Sequence, residues 1–224
     1  MKRALLFGTC YSDGPEKARV LEMWSALALR NKREGLDVMV VDSQSPSLPH
    51  IPMPIRYYSF RDNIGHLSRG GRDGWGRAFS YGLFRAIAEG YDYAIHVECD
   101  SLLLPLIEPA IGWMEHQNVQ VASTRVSSAP HHWVETGLML FRTSWIRANN
   151  FLQQYDWERR NRRPEPEVVI RGLVGRDLRY LNWRTMRDDF KALTVANLGS
   201  YKLDWLTHAT IDVMEQFYND RSEK

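Results

Sequence analysis

The segment Tyr91-Asp92-Tyr93-Ala94-Ile95-His96-Val97-Glu98-Cys99-Asp100 joins an apolar run to two carboxylates. The run reads as a buried strand, and Glu98 and Asp100 fall at its carboxyl end. In parallel α/β sheets ligands bind at those ends. Residues i and i+2 at a strand end point the same way, so the two acids can converge on one cation. Hard divalent ions such as Mg2+ and Mn2+ take oxygen ligands from carboxylates and substrate phosphates. The chemistry on offer is therefore metal-assisted handling of a diphosphate. The bland alternative is an acidic turn that caps the next helix, and an isolated acidic triplet is a weak motif.

The elements around the triplet must position it. Ala4 to Thr9 reads as a first strand, and Tyr11-Ser12-Asp13-Gly14-Pro15 as the turn into a helix from Glu16 to Arg33, closed by Gly35 as its C′ residue. The helix carries apolar residues at helical spacing (Val20, Leu21, Trp24, Leu27, Ala28). Asp37 to Val41 is a second buried strand ending at Asp42. A strand, helix, strand unit implies a parallel sheet. A Gly-rich polar loop follows Asn63, then a helix from Trp75 to Glu89, then the strand of the triplet. Further on, the pattern predicts a helix over Leu106–Gln117, strands over Val119–Val126 and Gly137–Phe141, and a helix from Ser144 to about Tyr155. The last third is harder to parse: a helix over Val168–Val174, a strand over Arg179–Trp183 and a closing helix over Ile211–Asn219. The fold class is α/β, with a mostly parallel sheet in one domain over 1–224.

Composition narrows the function. The 224 residues carry 29 basic and 27 acidic side chains, a net charge of +2, which gives no electrostatic reason to expect nucleic acid. Cys10 and Cys99 are the only cysteines. Two lone thiols make no disulfide framework and read as reduced, buried cysteines of a cytoplasmic protein. No apolar run approaches the ~20 residues of a membrane span, and the N-terminal apolar stretch is too short for a signal peptide. The basic run Arg159-Arg160-Asn161-Arg162-Arg163 leaves a peripheral position at a membrane as an alternative.

Gly74-Trp75-Gly76-Arg77-Ala78, Gly82-Leu83 and Ala86-Ile87-Ala88-Glu89-Gly90-Tyr91-Asp92-Tyr93, followed by the acidic triplet, resemble the central block of GT-A glycosyltransferases. The likeness runs from about Lys2 to Arg142, with Glu98 where the common Asp-x-Asp motif has Asp. It implies a Rossmann-like α/β/α sandwich that moves sugar from a nucleoside diphosphate sugar (UDP- or GDP-linked) to a glycan, lipid-linked or other hydroxyl acceptor. By the same resemblance residues 1–142 would hold donor and metal, and 143–224 would face the acceptor. Asp100 and Glu98 would bind Mn2+ or Mg2+, with His208 as a further ligand near the C-terminus. Gly8, Thr9 and Tyr11 at the end of the first strand, Asp42 at the end of the second, Arg77, Glu98 and Cys99 would face the donor. Asn63 and Gly65 resemble the Asn-x-Gly that commonly precedes the Arg-Ala helix, and the loop from Gly65 to Gly76 would close over the donor. In an inverting enzyme Glu135 would be the base that deprotonates an acceptor hydroxyl, with Glu165 and Glu167 as alternatives; a retaining enzyme would need no such base. His131, His132 and Trp133 would form an acceptor platform.

Two other readings share the architecture. A sugar-phosphate nucleotidyltransferase would carry a Gly-rich, Arg- and Lys-containing signature after the first strand, which Gly8-Thr9-Cys10-Tyr11-Ser12 lacks. A non-catalytic nucleotide-binding module would bind without turnover. An NAD-type oxidoreductase is disfavoured because Gly8-Thr9-Cys10 falls short of Gly-x-Gly-x-x-Gly.

Overall fold

The structure is a computed structural model that describes residues 2–47, 50–65, 72–125, 134–157, 165–184 and 193–221. Its sheet is built on β1 (Ala4–Cys10), every residue of which is buried. Alternate side chains go to opposite faces: Ala4 and Leu6 pack into one apolar cluster, Leu5 and Phe7 into a second. A strand buried on both faces reads as a continuous apolar run, which is what parallel sheets require.

The helix α1 (Pro15–Leu29) starts with proline at its first turn, where a missing N–H costs nothing. It packs Leu21, Trp24 and Leu27 against the sheet. It stops four residues short of the expected Arg33. Asn31 is the reason: its Nδ2 donates to the Leu27 carbonyl (3.3 Å), and its Oδ1 accepts from the Ile107 N–H (2.7 Å), the first residue of α3 (Ile107–His116). Gly35, at φ +81°, turns the chain into β2 (Leu36–Asp42) rather than closing the helix. β3 (Arg56–Ser59) pairs parallel to β2. The helix α2 (Arg72–Ala88) begins three residues before Trp75, so Gly74 and Gly76 are helical and not part of a loop. Residues 66–71 of the expected closing loop lie outside the described residues.

β4 (Tyr93–Val97) returns beside β1, on the side opposite β2. The full order is β3-β2-β1-β4-β7-β6-β8, with β6 (Val121–Thr124), β7 (Leu138–Arg142) and β8 (Leu178–Leu181). All neighbouring pairs are parallel except those of β7, which runs antiparallel to both β4 and β6. Helix α1 lies on one face, with α3 and α7 (Ile211–Arg221), and α2 lies on the other. The second face is shared with α4 (Thr143–Ala148), α5 (Phe151–Gln154) and α6 (Pro166–Val174). The helix expected over 144–155 is broken into α4 and α5 by Asn150 in a left-handed conformation (φ 49°). Two short strands, β5 (Ser101–Leu103) and β9 (Trp205–Thr207), form a separate antiparallel pair.

Gly82 shows how closely the layers meet. A β-carbon there would lie 2.2 Å from the Phe7 ring, so glycine lets α2 lie directly on β1.

Candidate functional site

The chain leaves β1 for β2 on one side and returns with β4 on the other. That reversal opens a crevice beyond the carboxyl ends of β1 and β4, where open α/β sheets bind ligands. A cleft of about 1140 Å3 lies there, and Thr9 to Ser12 and Glu98 to Asp100 line it.

Register brings the candidate metal ligands together. In the β5–β9 pair Ser101 faces Thr207, so the preceding residue Asp100 meets the following residue His208. His208 adopts φ 54°, which turns the chain at that point. Its Nδ1 lies 3.4 Å from Asp100 Oδ2. Ligand atoms of Glu98, Asp100 and His208 lie within 4.8 Å of one another. Two carboxylates and an imidazole suit Mn2+ and are tolerable for Mg2+.

Glu98 is oriented from above and below. The Trp75 indole N–H donates to its Oε1 (2.5 Å), and the Trp75 ring stacks on Phe79 at 4.8 Å. The Glu98 backbone N–H donates to the Gly137 carbonyl (2.9 Å). A β-carbon at Gly137 would lie 3.2 Å from Glu98 Oε2 and 2.9 Å from Glu135 Oε1, so glycine lets the backbone pass between two carboxylates.

Beneath the triplet, His96 is fully buried among the rings of Phe7, Trp75 and Phe79. Its Nδ1 lies 2.8 Å from the Thr136 carbonyl and its Nε2 3.1 Å from Thr9 Oγ1. Burial drives its pKa from 6.5 down to about 3, against a smaller opposing effect of the Thr136 bond. The ring is neutral and ties the β1 end to the segment entering β7.

No protein-family model and no curated protein matches the chain. Solved structures do. The galactosyltransferase LgtC, solved with donor and acceptor sugar analogues, aligns over 98% of this chain and 96% of its own, at 12% identity and a TM-score of 0.60. The glycosyltransferase GlyE of Streptococcus pneumoniae aligns over 97% of this chain and 60% of its own (12% identity, TM-score 0.55). The bifunctional WbbM aligns over 98% and 50% (9% identity, TM-score 0.55). The chain therefore spans less than two thirds of GlyE and half of WbbM but nearly all of LgtC.

The chain has the GT-A glycosyltransferase fold.

Within this GT-A fold the expected donor-side residues separate into two groups. Thr9, Tyr11, Glu98 and Cys99 line the cleft. Tyr11 is 41% exposed, with the Lys17 ammonium 5.7 Å from its ring centre. Cys99 is a floor group whose thiol is pushed well up by burial and by the neighbouring Cys10 thiol, and so stays protonated. Gly8 does not reach the cleft: a β-carbon there would sit 2.5 Å from Cys99 Sγ and 2.6 Å from the Trp24 ring, so glycine is a packing requirement. Asp42 is wholly buried, and its carboxylate is engaged by the Ser45 backbone N–H and hydroxyl, Tyr57 (2.9 Å) and Ser59 (2.7 Å). It braces the loop after β2 instead of presenting an acceptor to a ligand. Arg77 turns away, paired with Asp62 (2.9 Å) and stacked on Phe60 (4.0 Å).

Among the residues expected to face the acceptor, Glu135 is 1% exposed and its Oε1 accepts from the Gly137 N–H (2.7 Å), so it supports the turn into β7. Of the three candidate bases, Glu165 and Glu167 line the cleft, and Thr136 Oγ1 donates to Glu167 Oε1 (3.3 Å). His131, His132, Trp133 and the Arg159 to Arg163 run lie outside the described residues. Among the described residues no helix is long and apolar enough to cross a membrane.

Sequence reasoning passed over His96 and gave Trp75 no role. Trp75 and Glu98 lie 23 residues apart, and only the fold reveals their pairing.

Proposed function

We propose that the chain transfers a sugar from a UDP- or GDP-linked donor to a hydroxyl acceptor, with Mn2+ or Mg2+ held by Glu98, Asp100 and His208. The reading is carried by the convergence of these three side chains at the switch point of a GT-A fold. Charge supports it. The described cleft lining includes Glu16, Glu98, Asp100, Glu165 and Glu167 against Lys17, which is itself paired with Asp13 (2.9 Å). A diphosphate entering such a wall needs a positive partner, and the three converging ligands offer the place for one.

When bound, a divalent cation supplies charge neutralisation for the departing nucleoside diphosphate. The protein's own part is positional. Trp75 fixes Glu98, the β5–β9 register fixes His208 on Asp100, and Tyr11 and Thr9 offer an aromatic face and a hydroxyl to the nucleoside. In an inverting transfer Glu167, hydrogen-bonded to Thr136, and Glu165 would be the candidates to take a proton from an acceptor hydroxyl; a retaining transfer would need no such base. That LgtC was solved with donor and acceptor sugar analogues supports the same class of ligands here. The acceptor is a glycan, a lipid-linked sugar or another hydroxyl compound.

The test is a thermal-shift series with UDP and GDP, with and without Mn2+, on the wild-type chain and on Asp100→Asn. Nucleotide raises the melting temperature of the wild type only when Mn2+ is present, because a ligand bound to the folded state alone stabilises it. Asp100→Asn loses that shift while melting as a folded protein. A wild type indifferent to both nucleotides in Mn2+ rejects the assignment.

A further inference from the structure

The sheet ends at β3, and its outer edge is open: among the described residues no strand pairs with it on that side. The ladder decides which backbone groups point outward. In a parallel pair the N–H and C=O of one residue point the same way, and the direction alternates along the strand. The Phe60 N–H donates to the Asp42 carbonyl of β2 (3.0 Å), and Asp42 is level with Ser59 in the register. Phe60 and Tyr58 therefore bond inward. Tyr57 and Ser59 turn both their N–H groups and both their carbonyls outward, and among the described residues nothing bonds them. This open stretch is closed at each end. The Ile55 N–H is taken by the Pro52 carbonyl (3.0 Å), and the Arg61 carbonyl by the Gln44 side-chain amide (2.7 Å). The surface beside the strand is apolar and exposed: Met53 at 84%, Tyr57 at 41% and Tyr58 at 36%. With Ile51 and Pro54 these residues border a groove of about 770 Å3.

We infer that this edge pairs with the same edge of a second copy of the chain, antiparallel, about a twofold axis at Tyr58. That register sets Tyr57 of each copy against Ser59 of the other. Each such pair exchanges two hydrogen bonds, so every outward group of both copies is used. It also sets Ile55 against Arg61 of the other copy, and the donor and acceptor that would meet there are the two already engaged within each chain. The segment is thus complementary to itself, end for end. A longer extended peptide would meet those closed ends with free groups of its own. Tyr58 falls opposite its own copy in the close, non-hydrogen-bonded position that favours aromatic contact, and each ring is backed by Tyr81 at 4.2 Å. The exposed parts of Met53, Tyr57 and Tyr58 amount to roughly 300 Å2 per copy, a substantial share of the ~800 Å2 per partner of a stable interface. Antiparallel pairing points the carboxyl ends of the two sheets, and with them the two clefts, in opposite directions, so joining the copies obstructs neither.

Sedimentation of the full chain tests this. The wild type is expected at twice the chain mass at micromolar concentration and to dissociate on dilution. Tyr58→Glu and Tyr58→Lys each set like charges against one another across the axis and should weaken self-association at least about tenfold. An equimolar mixture of the two sets Glu against Lys and should restore the dimer, which also shows that both variants fold. Hydrogen exchange gives a second readout. The Tyr57 and Ser59 amides are protected in the wild type and exchange freely in either variant alone, while the Tyr58 amide, bonded to β2, stays protected throughout. Should a variant fail to fold, the Tyr57 and Ser59 amides of the wild type, compared at high concentration and after dilution, decide the matter. A wild-type monomer at high micromolar concentration, a single variant that still dimerises, or a mixture that stays monomeric overturns the inference.

Discussion

Replacing His96 by asparagine should flatten the fall of stability in mild acid. In the folded chain burial holds the imidazole pKa near 3, while in the unfolded chain it returns to 6.5. Above pH 6.5 the ring is neutral in both states and contributes nothing to the pH dependence. Below it, the unfolded chain takes a proton that the folded chain refuses, until the pH approaches 3. Stability therefore drops as the pH falls through 6.5, with a limiting slope of about 1.4 kcal/mol per pH unit from this one group. Integrated from about pH 7 to pH 5, where most carboxylates are still ionised, the loss is about 2 kcal/mol. Urea unfolding without added metal, followed by circular dichroism across that range, gives the free energies. The asparagine variant begins less stable, because it loses ring packing against Phe7 and Phe79 and the bond to Thr9. Its slope should nevertheless be shallower by the amount attributed to His96, since the other histidines are common to both proteins. Equal slopes in the two proteins would refute the buried, neutral assignment, whatever their absolute stabilities.

Two further substitutions probe the supports of the site. Trp75→Phe keeps the stack on Phe79 but removes the indole N–H that binds Glu98, so Mn2+ affinity measured by titration should fall about 10- to 100-fold with little change in melting temperature. An unchanged Mn2+ affinity would mean that Glu98 needs no such brace. Gly82→Ala drives a β-carbon to 2.2 Å from the Phe7 ring and should cost about 1–3 kcal/mol of unfolding free energy, read from denaturant midpoints. A neutral effect would show that α2 can lift from β1 freely.

The parts of this fold that were legible in the sequence are those governed by local physics. The apolar runs over Ala4–Thr9, Asp37–Val41 and Tyr91–Val97 became β1, β2 and β4 because strands buried on both faces can be nothing but apolar. The acids at the end of β4 were visible for the same reason. What escaped was set by partners distant in sequence. The early stop of α1 depends on Asn31 serving a helix that starts at Ile107. The antiparallel direction of β7 is a choice of topology that its apolar pattern shares with a parallel strand. The strands β5 and β9 are three residues each, too short for any period to register, yet their pairing is what sets His208 against Asp100.

The same distinction separates the expected site residues that reach the cleft from those that do not. Glu98 and Asp100 do so because a strand end presents them outward whatever surrounds it. Asp42 occupies the equivalent place after β2, and position alone gave it the same promise. Three hydroxyls and a backbone N–H converge on its carboxylate, so its acceptor capacity is already used in holding the loop that walls the cleft. Glu135 is withdrawn by burial, with its Oε1 on the Gly137 N–H, and Arg77 by its pairing with Asp62. An ionisable side chain at a strand end is thus available to a ligand only if its neighbours leave it a lone pair or a hydrogen to give. By that criterion Asp100, half exposed and touching His208 alone among the described ion pairs, is the carboxylate on which a diphosphate-bound cation would have to rest.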